Sequence, residues 1–346
     1  DQLEMLYQKG VKQFYFSDDT FTFQADAVIA ICRDIIQRKL DITWVAISRV
    51  NTINEELLAW MRRAGCTQIS FGVESGSEAV RKRLNKRIPT EQIKKAFSLT
   101  QKYGIMARAY FIYGVPGETD ETIQATIDLI HTIKPLSAIF YILDLFPGTR
   151  LTIEFMERLG LTDDIWLERV EDILYFEKDP LLTREMILAF GKKLRENFYQ
   201  HLPAFVDHLQ LVQDPAFHRL HADFYSRLAM TFGHGDYARM EAIKTPQAIA
   251  EKLYKKALQC HEDHRAFLGL GMLFQQQRKI GDAIKIVEKG LAQFPGSFDL
   301  VLCQAINHMN AGDYKMALEL LEPYQDRPET KTYTSACLEA LGLSTE

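Results

Sequence analysis

Over its first 150 residues the chain repeats one pattern: an amphipathic stretch, a glycine, a short apolar run and a polar loop. Lys9-Gly10-Val11 leads into KQFYFS, Ala64-Gly65-Cys66 into TQISFGV, and Tyr103-Gly104-Ile105 into MARAYFIYGV. A glycine just past a helix supplies the left-handed conformation that closes it, and the short apolar runs are of strand length. Two more strands are expected at ITWVAIS (42–48) and SAIFYILDLF (137–146).

The stretches between them carry helix-end signals. Thr52 or Asn54 is expected to cap EELLAWMRRAG, whose Glu55 and Glu56 open it and whose Arg62 and Arg63 close it, as the helix dipole favours. Thr90 is expected to cap EQIKKAFSLTQKYG, with Ile93, Phe97 and Thr100 on one face. Thr119 is expected to cap DETIQATIDLIHTI, where Ile123, Ile127 and Ile130 form the buried stripe. Strands that alternate with helices in this way predict an α/β fold built on a parallel sheet. Five strands are too few for a closed eight-unit barrel, so residues 1–150 are expected to form a partial (β/α) barrel or open sheet. Chemistry is then expected at the C-terminal ends of the strands, in SDDT, SRVN, GVESG, YGVPGET and FPGT.

The pattern changes downstream. Residues 151–245 read as a helical extension holding His201, His208, His218, His221 and His234. His218 and His221 stand three apart, but no HExxH run or cysteine accompanies them, so helix packing is the better reading and no metal ligands are assigned. Residues 246–346 read as repeats: Phe267, Leu270, Gly271, Phe274, Ala283 and Pro295 fall on the spacing of a tetratricopeptide unit of about 34 residues. Ala305, Gly312, Tyr314 and Ala317 take corresponding places in a second copy, and Ala250, Tyr254, Ala257 and Leu258 look like the second helix of an earlier one. Stacked helix pairs make a concave surface suited to a protein partner.

Composition narrows the classes. A net charge of -5 speaks against a molecule-wide nucleic-acid or anionic-membrane surface. The one basic run, RKRLNKR (81–87), reads most simply as a solvated helix face. No apolar run approaches the roughly 18 residues of a membrane span. Five scattered cysteines, at 32, 66, 260, 303 and 337, fit reduced thiols and a cytoplasmic setting better than a disulfide framework. The chain opens on Asp1 and on what reads as the last turns of a helix, so it is expected to be a fragment.

Five loops at one end of one sheet would gather Asp18, Asp19, Arg49, Glu74, Ser75, Gly114, Pro116, Gly117, Glu118, Pro147 and Gly148 around one mouth. Carboxylates suit an ammonium and hydroxyls, and glycine backbone suits a flat ring, so a zwitterionic ribose-bearing ligand fits.

FYFSDDTFT, ISFGVESGSEAVRKRLNK, YFIYGVPGETDET and LFPGTRL, in this order, resemble the radical S-adenosylmethionine superfamily, in the branch that includes cobalamin-binding members. The resemblance covers roughly residues 1–150. It implies a [4Fe-4S] cluster that cleaves S-adenosylmethionine to a radical, which abstracts hydrogen from a substrate at the strand ends. It implies that Asp18, Asp19 and Thr20 meet the methionine ammonium, although the usual Gly-Gly-Glu is here Asp-Asp-Thr. Glu74, with Ser75 beside it, corresponds to a ribose contact, and Lys86 to a contact for the methionine carboxylate. Ile112 and Gly114 fall where adenine packs, and Arg108 shares their face as a substrate or carboxylate contact.

Each residue also has a structural alternative: a cap for Glu74, a surface position for Lys86, a buried ion pair for Arg108. The CxxxCxxC loop belongs before the first of these strands, and neither Cys32 nor Cys66 has the spacing to replace it. As given, the chain is therefore expected to be inactive alone; truncation explains this better than a degenerate barrel. Cobalamin is a further expectation for the full-length protein. Two other classes are a non-catalytic scaffold working through the repeats and a metal-dependent barrel lyase; the latter lacks a strand-end histidine.

Overall fold

The structure is a computed structural model and describes residues 1–167 and 172–343. It divides into two compact units, residues 1–212 and 213–346, so that 151–245 is shared between them.

In the first unit five parallel strands stand in sequence order: β1 (Gln13–Phe16), β2 (Thr43–Ser48), β3 (Cys66–Glu74), β4 (Met106–Tyr113) and β5 (Ser137–Ile142). Around them run α1 (Gln2–Gln8), α2 (Ala25–Gln37), α3 (Glu55–Arg63), α4 (Glu78–Arg83), α5 (Thr90–Lys102) and α6 (Asp120–Ile133). Every connection from β1 to β5 joins neighbouring parallel strands, the arrangement of a partial (β/α) barrel wall. Alternation sorts the side chains. Ala46, Ile69, Phe71, Ala107, Ala109 and Phe111 are buried toward the helices, and Phe71 meets Phe97 of α5. The intervening positions face the open side in register: Tyr15–Val45–Gln68–Met106, then Ile47–Ser70–Arg108–Ser137.

The element ends follow the expected chemistry except at one helix and one strand. Asn54 Oδ1 accepts from Leu57 N, so Asn54 caps α3, and the Thr52 hydroxyl donates to Arg49 O. Thr119 and Thr122 close a reciprocal capping box on α6. Pro89, not Thr90, holds the cap position of α5; the Thr90 hydroxyl is taken by the Arg81 guanidinium at 2.7 Å. The long fifth strand expected to run to residue 146 ends at Ile142. Leu143 N donates to Tyr113 O there, and the chain leaves the sheet to form β6 (Asp144–Leu145), antiparallel to β7 (Ile173–Leu174). Between these lies α7 (Arg150–Leu159), and α8 (Arg184–Asp207) then packs on α6 and on the last two sheet strands.

The second unit consists of α9 (His218–Gly233), α10 (Pro246–Cys260), α11 (His264–Gln276), α12 (Ile280–Gln293), α13 (Phe298–Asn310), α14 (Tyr314–Leu321) and α15 (Pro328–Ala340). Each packs on its sequence neighbour. α11 and α13, and likewise α12 and α14, begin about 34 residues apart. Small residues allow the close crossings: Ala283 and Ala317 are wholly buried, and a side chain at Gly271 would collide with Val287. No helix among the described residues is long and apolar enough to cross a membrane.

Candidate functional site at the strand ends

β3 ends in an irregularity that its sequence creates. The register with β4 shifts between Gly72 and Glu74, and Glu74 takes a left-handed backbone at φ +65°. A non-glycine residue there is strained, and the turn aims its carboxylate back over Gly72. Lys86 Nζ donates to Glu74 Oε1 at 2.8 Å, with the two side chains 26% and 13% exposed. The pair occupies the space a side chain at position 72 would need: a Cβ on Gly72 would stand 2.5 Å from Glu74 Oε1 and 2.8 Å from Lys86 Nζ. Gly72 thus leaves a cradle on the open face of the sheet that is filled by the paired Glu74 carboxylate and Lys86 ammonium, both of which still reach solvent.

Arg81 holds this geometry. It is 1% exposed, and its guanidinium donates to Ser75 O at 2.7 Å, Gly76 O at 3.0 Å, Ile88 O at 3.2 Å and Thr90 Oγ1. One cation thereby ties the loop after β3 to the loop that carries Lys86. The run RKRLNKR is therefore no uniformly solvated face: Arg81 is interior, while Lys82, Arg83 and Arg87 are exposed. Local spacing cannot reveal this, because the carbonyls that bury Arg81 come from two separate turns. Ser75, wholly buried, is committed elsewhere. Its hydroxyl lies 3.1 Å from Thr126 Oγ1 and accepts from Ser77 N.

The acidic turn has a different construction. β1 stops at Phe16, and residues 17–24 fold back so that Phe21 stacks on Phe16 at 4.6 Å, both against Trp44. Phe21 N donates to Ile47 O, and the buried Thr22 hydroxyl meets those of Ser48 and Thr52. The aromatic clamp presents Asp18 and Asp19 to solvent on a turn, with Thr20 half-buried beneath them. The expected alternation of the two acids across a strand does not arise, since the strand has already ended.

Beyond β4, Gly114 adopts φ +79° and Gly117 φ +69°. Glu118 folds under this turn, 3% exposed, and its Oε2 accepts from Gly114 N at 2.5 Å and from Val115 N at 3.3 Å. Burial pushes this carboxyl up to about 7, against the pull of the two amide hydrogen bonds. Arg108 faces the open side. Its Nε donates to Ser137 Oγ at 3.0 Å, and no carboxylate among the described residues pairs with it. Ile112, four residues on along the same face, borders a groove shared with Lys86. Arg49 sits at the end of β2, where its carbonyl accepts from the Thr52 hydroxyl.

That groove measures about 1900 Å³ and runs from the α4–α5 loop past the ends of β4 and β5 to the β6–β7 hairpin and α7. The sequence reading missed its aromatic rim. Tyr141 is 51% and Phe146 62% exposed, and the only advance signal was the aromatic density of SAIFYILDLF.

Residues 1–130 match the family model for the Radical SAM superfamily. An uncharacterized methyltransferase of Pyrococcus horikoshii is 40% identical over 152 residues, which cover 44% of this chain and 33% of that protein. An anaerobic magnesium-protoporphyrin IX monomethyl ester cyclase of Rubrivivax gelatinosus is 30% identical over 166 residues, covering 47% of this chain and 30% of the relative. The chain thus spans about a third of the length of these curated relatives. A radical S-adenosylmethionine methyltransferase of Kitasatospora setae, solved with cobalamin and a [4Fe-4S] cluster bound, aligns at a TM-score of 0.46 and 16% identity, covering 74% of this chain and 54% of that one.

The Radical SAM superfamily uses S-adenosylmethionine and a [4Fe-4S] cluster. The Gly72 cradle and the Glu74–Lys86 pair fit the first. The second does not fit the cysteines present. Cys32 and Cys66, the two in the sheet unit, are wholly buried, and burial pushes Cys32 up to about 12 and raises Cys66 as well. Such thiols are poor ligands, and no group of three His, Cys, Asp or Glu among the described residues could hold a metal ion.

Proposed function

We infer that the sheet unit, whose residues 1–130 carry the Radical SAM superfamily match, binds S-adenosylmethionine across the ends of β1 to β4 and works in a radical methyl-transfer or ring-forming reaction. The observation that carries this reading is the Gly72 cradle beside the Glu74–Lys86 pair. Glu74 accepts hydrogen bonds from ribose hydroxyls, and Lys86 reaches the methionine carboxylate. Asp18 or Asp19 meets the ammonium, and the exposed turn leaves either free to do so. The adenine lies against Ile112, where the left-handed Gly114 lets a flat ring approach the backbone. Glu118 positions that turn from beneath. The cofactor supplies the radical chemistry once a cluster is present, and the described residues of this chain supply none of the cluster's ligands.

The names of the two curated relatives support an enzyme of this kind acting on an organic substrate at the groove. Cobalamin belongs to the same reading, as a cofactor of the full-length protein. The helix pairs α11–α12 and α13–α14 read as tetratricopeptide repeats offering a surface to a protein partner, supported by their 34-residue period and small crossing residues. Five free cysteines support a reducing, cytoplasmic setting.

Calorimetric titration of S-adenosylmethionine into this chain tests the reading. Saturable binding is expected, weakened about tenfold by Lys86→Ala, as for loss of one charge-assisted contact. Equal affinity in the variant, or no binding at all, contradicts it.

A further inference from the structure

The groove is larger than one nucleoside-bearing ligand requires. Ligand pockets commonly occupy roughly 300 to 1,000 Å³, and this one measures about 1900 Å³. With S-adenosylmethionine along one end, a volume fit for a second large molecule remains. One part of its wall is apolar. Ile112 and Leu174 line it, and Tyr141 and Phe146 leave their rings uncovered at its rim. Both exposed rings belong to the groove's lining and add apolar surface to its rim.

Another part of the wall is basic, and most of its charge has a partner. Lys86 is bound by Glu74, the Arg83 guanidinium donates to Pro116 O, and Arg158 lies 3.6 Å from the buried Asp179 carboxylate. The groove's acids include Glu78 and Glu154, which are held by Arg81 and Arg150, and Asp144 and Asp172 on the β6–β7 side. Lys82 and Arg87 have no carboxylate partner among the described residues. Arg83 meets only a neutral carbonyl, so among the described residues three cations without a carboxylate partner border an apolar, aromatic-rimmed space.

We propose that this groove holds a large apolar substrate bearing a carboxylate, its body against Tyr141, Phe146 and Leu174 and its carboxylate toward Lys82 and Arg87. The proposal rests on the reading that S-adenosylmethionine occupies the strand ends, and it adds the class of the second substrate.

The test uses the full chain and three probes: protoporphyrin IX (a flat ring dicarboxylate), its dimethyl ester, and palmitate. Fluorescence titration is expected to show saturable binding of the diacid and at least about tenfold weaker binding of the ester. The double variant Lys82→Glu/Arg87→Glu is expected to weaken the diacid about tenfold, as for reversal of two exposed charges, and to leave the ester unchanged. Displacement of the diacid by palmitate supports an acyl chain as the body, and its failure supports a ring system; both agree with the proposal. Binding of neither carboxylate, equal binding of acid and ester, or an unaltered double variant overturns it. S-adenosylmethionine titrated into the same samples separates the two readings. If it binds while no carboxylate does, only the groove inference fails; if the carboxylate binds while it does not, only the strand-end reading fails.

Discussion

The two units bury their polar groups in different ways. In the sheet unit, Ser75, Arg81 and Glu118 are almost wholly buried just beyond strand ends: Ser75 meets Thr126 of α6, Arg81 on α4 satisfies carbonyls of the turns on either side of that helix, and Glu118 satisfies the amides of its own turn. In the helical unit the buried polar residues, such as Gln304 and Asn307, sit within helices, and the tight places are crossings of small side chains. The first arrangement spends its polar network on shaping a mouth; the second repeats a packing motif. Damage to the sheet unit should therefore spread between loops, whereas damage to the helical unit should stay with neighbouring helices.

The largest expected break is Arg81→Ala. It strands several buried carbonyls, each of which costs about 1–3 kcal/mol when unsatisfied, so thermal unfolding of the sheet unit should fall by at least about 3 kcal/mol while the helical unit keeps its transition. A single shared loss in both units would erase the contrast. Gly271→Val should come next, at about 1–3 kcal/mol from overpacking against Val287. Differential scanning calorimetry should place this loss in the helical transition alone.

Glu118→Gln sharpens the comparison through pH. The folded carboxyl titrates near 7, above its ordinary 4.5, so the folded state holds its proton longer than the unfolded chain. Wild-type stability from this group is therefore lost as pH rises from about 4.5 to 7 and is level above that. Chemical denaturation at pH 5 and pH 8 should show the variant gaining on wild type by up to about 3 kcal/mol at the higher pH. An identical pH profile in both proteins would show that Glu118 does not titrate where its burial implies.

The difference between the units also marks what the sequence could tell. Periodicity revealed Ile123, Ile127 and Ile130 as a buried stripe, the glycine closures as helix ends, and the 34-residue step of α11–α14, because each depends on neighbours along the chain. Arg81 and Ser75 were misread or left open because their partners, Ile88 and Thr90 for one and Thr126 of α6 for the other, come from other elements of the chain. The fifth strand was overextended because its break depends on Leu143 reaching across to Tyr113. The groove's aromatic rim depends in turn on that break, which sends residues 144–146 away from the sheet. At the mouth, Glu74 and Lys86 were singled out separately, but their contact over Gly72 needed the left-handed turn that no local signal shows.

The strand-end reading stands or falls on Gly72. Its backbone is not left-handed, so alanine fits the chain, but the added Cβ would stand within 3 Å of both Glu74 Oε1 and Lys86 Nζ. The decisive measurement is calorimetric titration of S-adenosylmethionine into Gly72→Ala beside wild type, with both unfolding transitions monitored. Affinity at least about tenfold weaker, with both transitions intact, is the expected result. Wild-type affinity in a folded Gly72→Ala protein would contradict the cradle and, with it, the placement of the ligand.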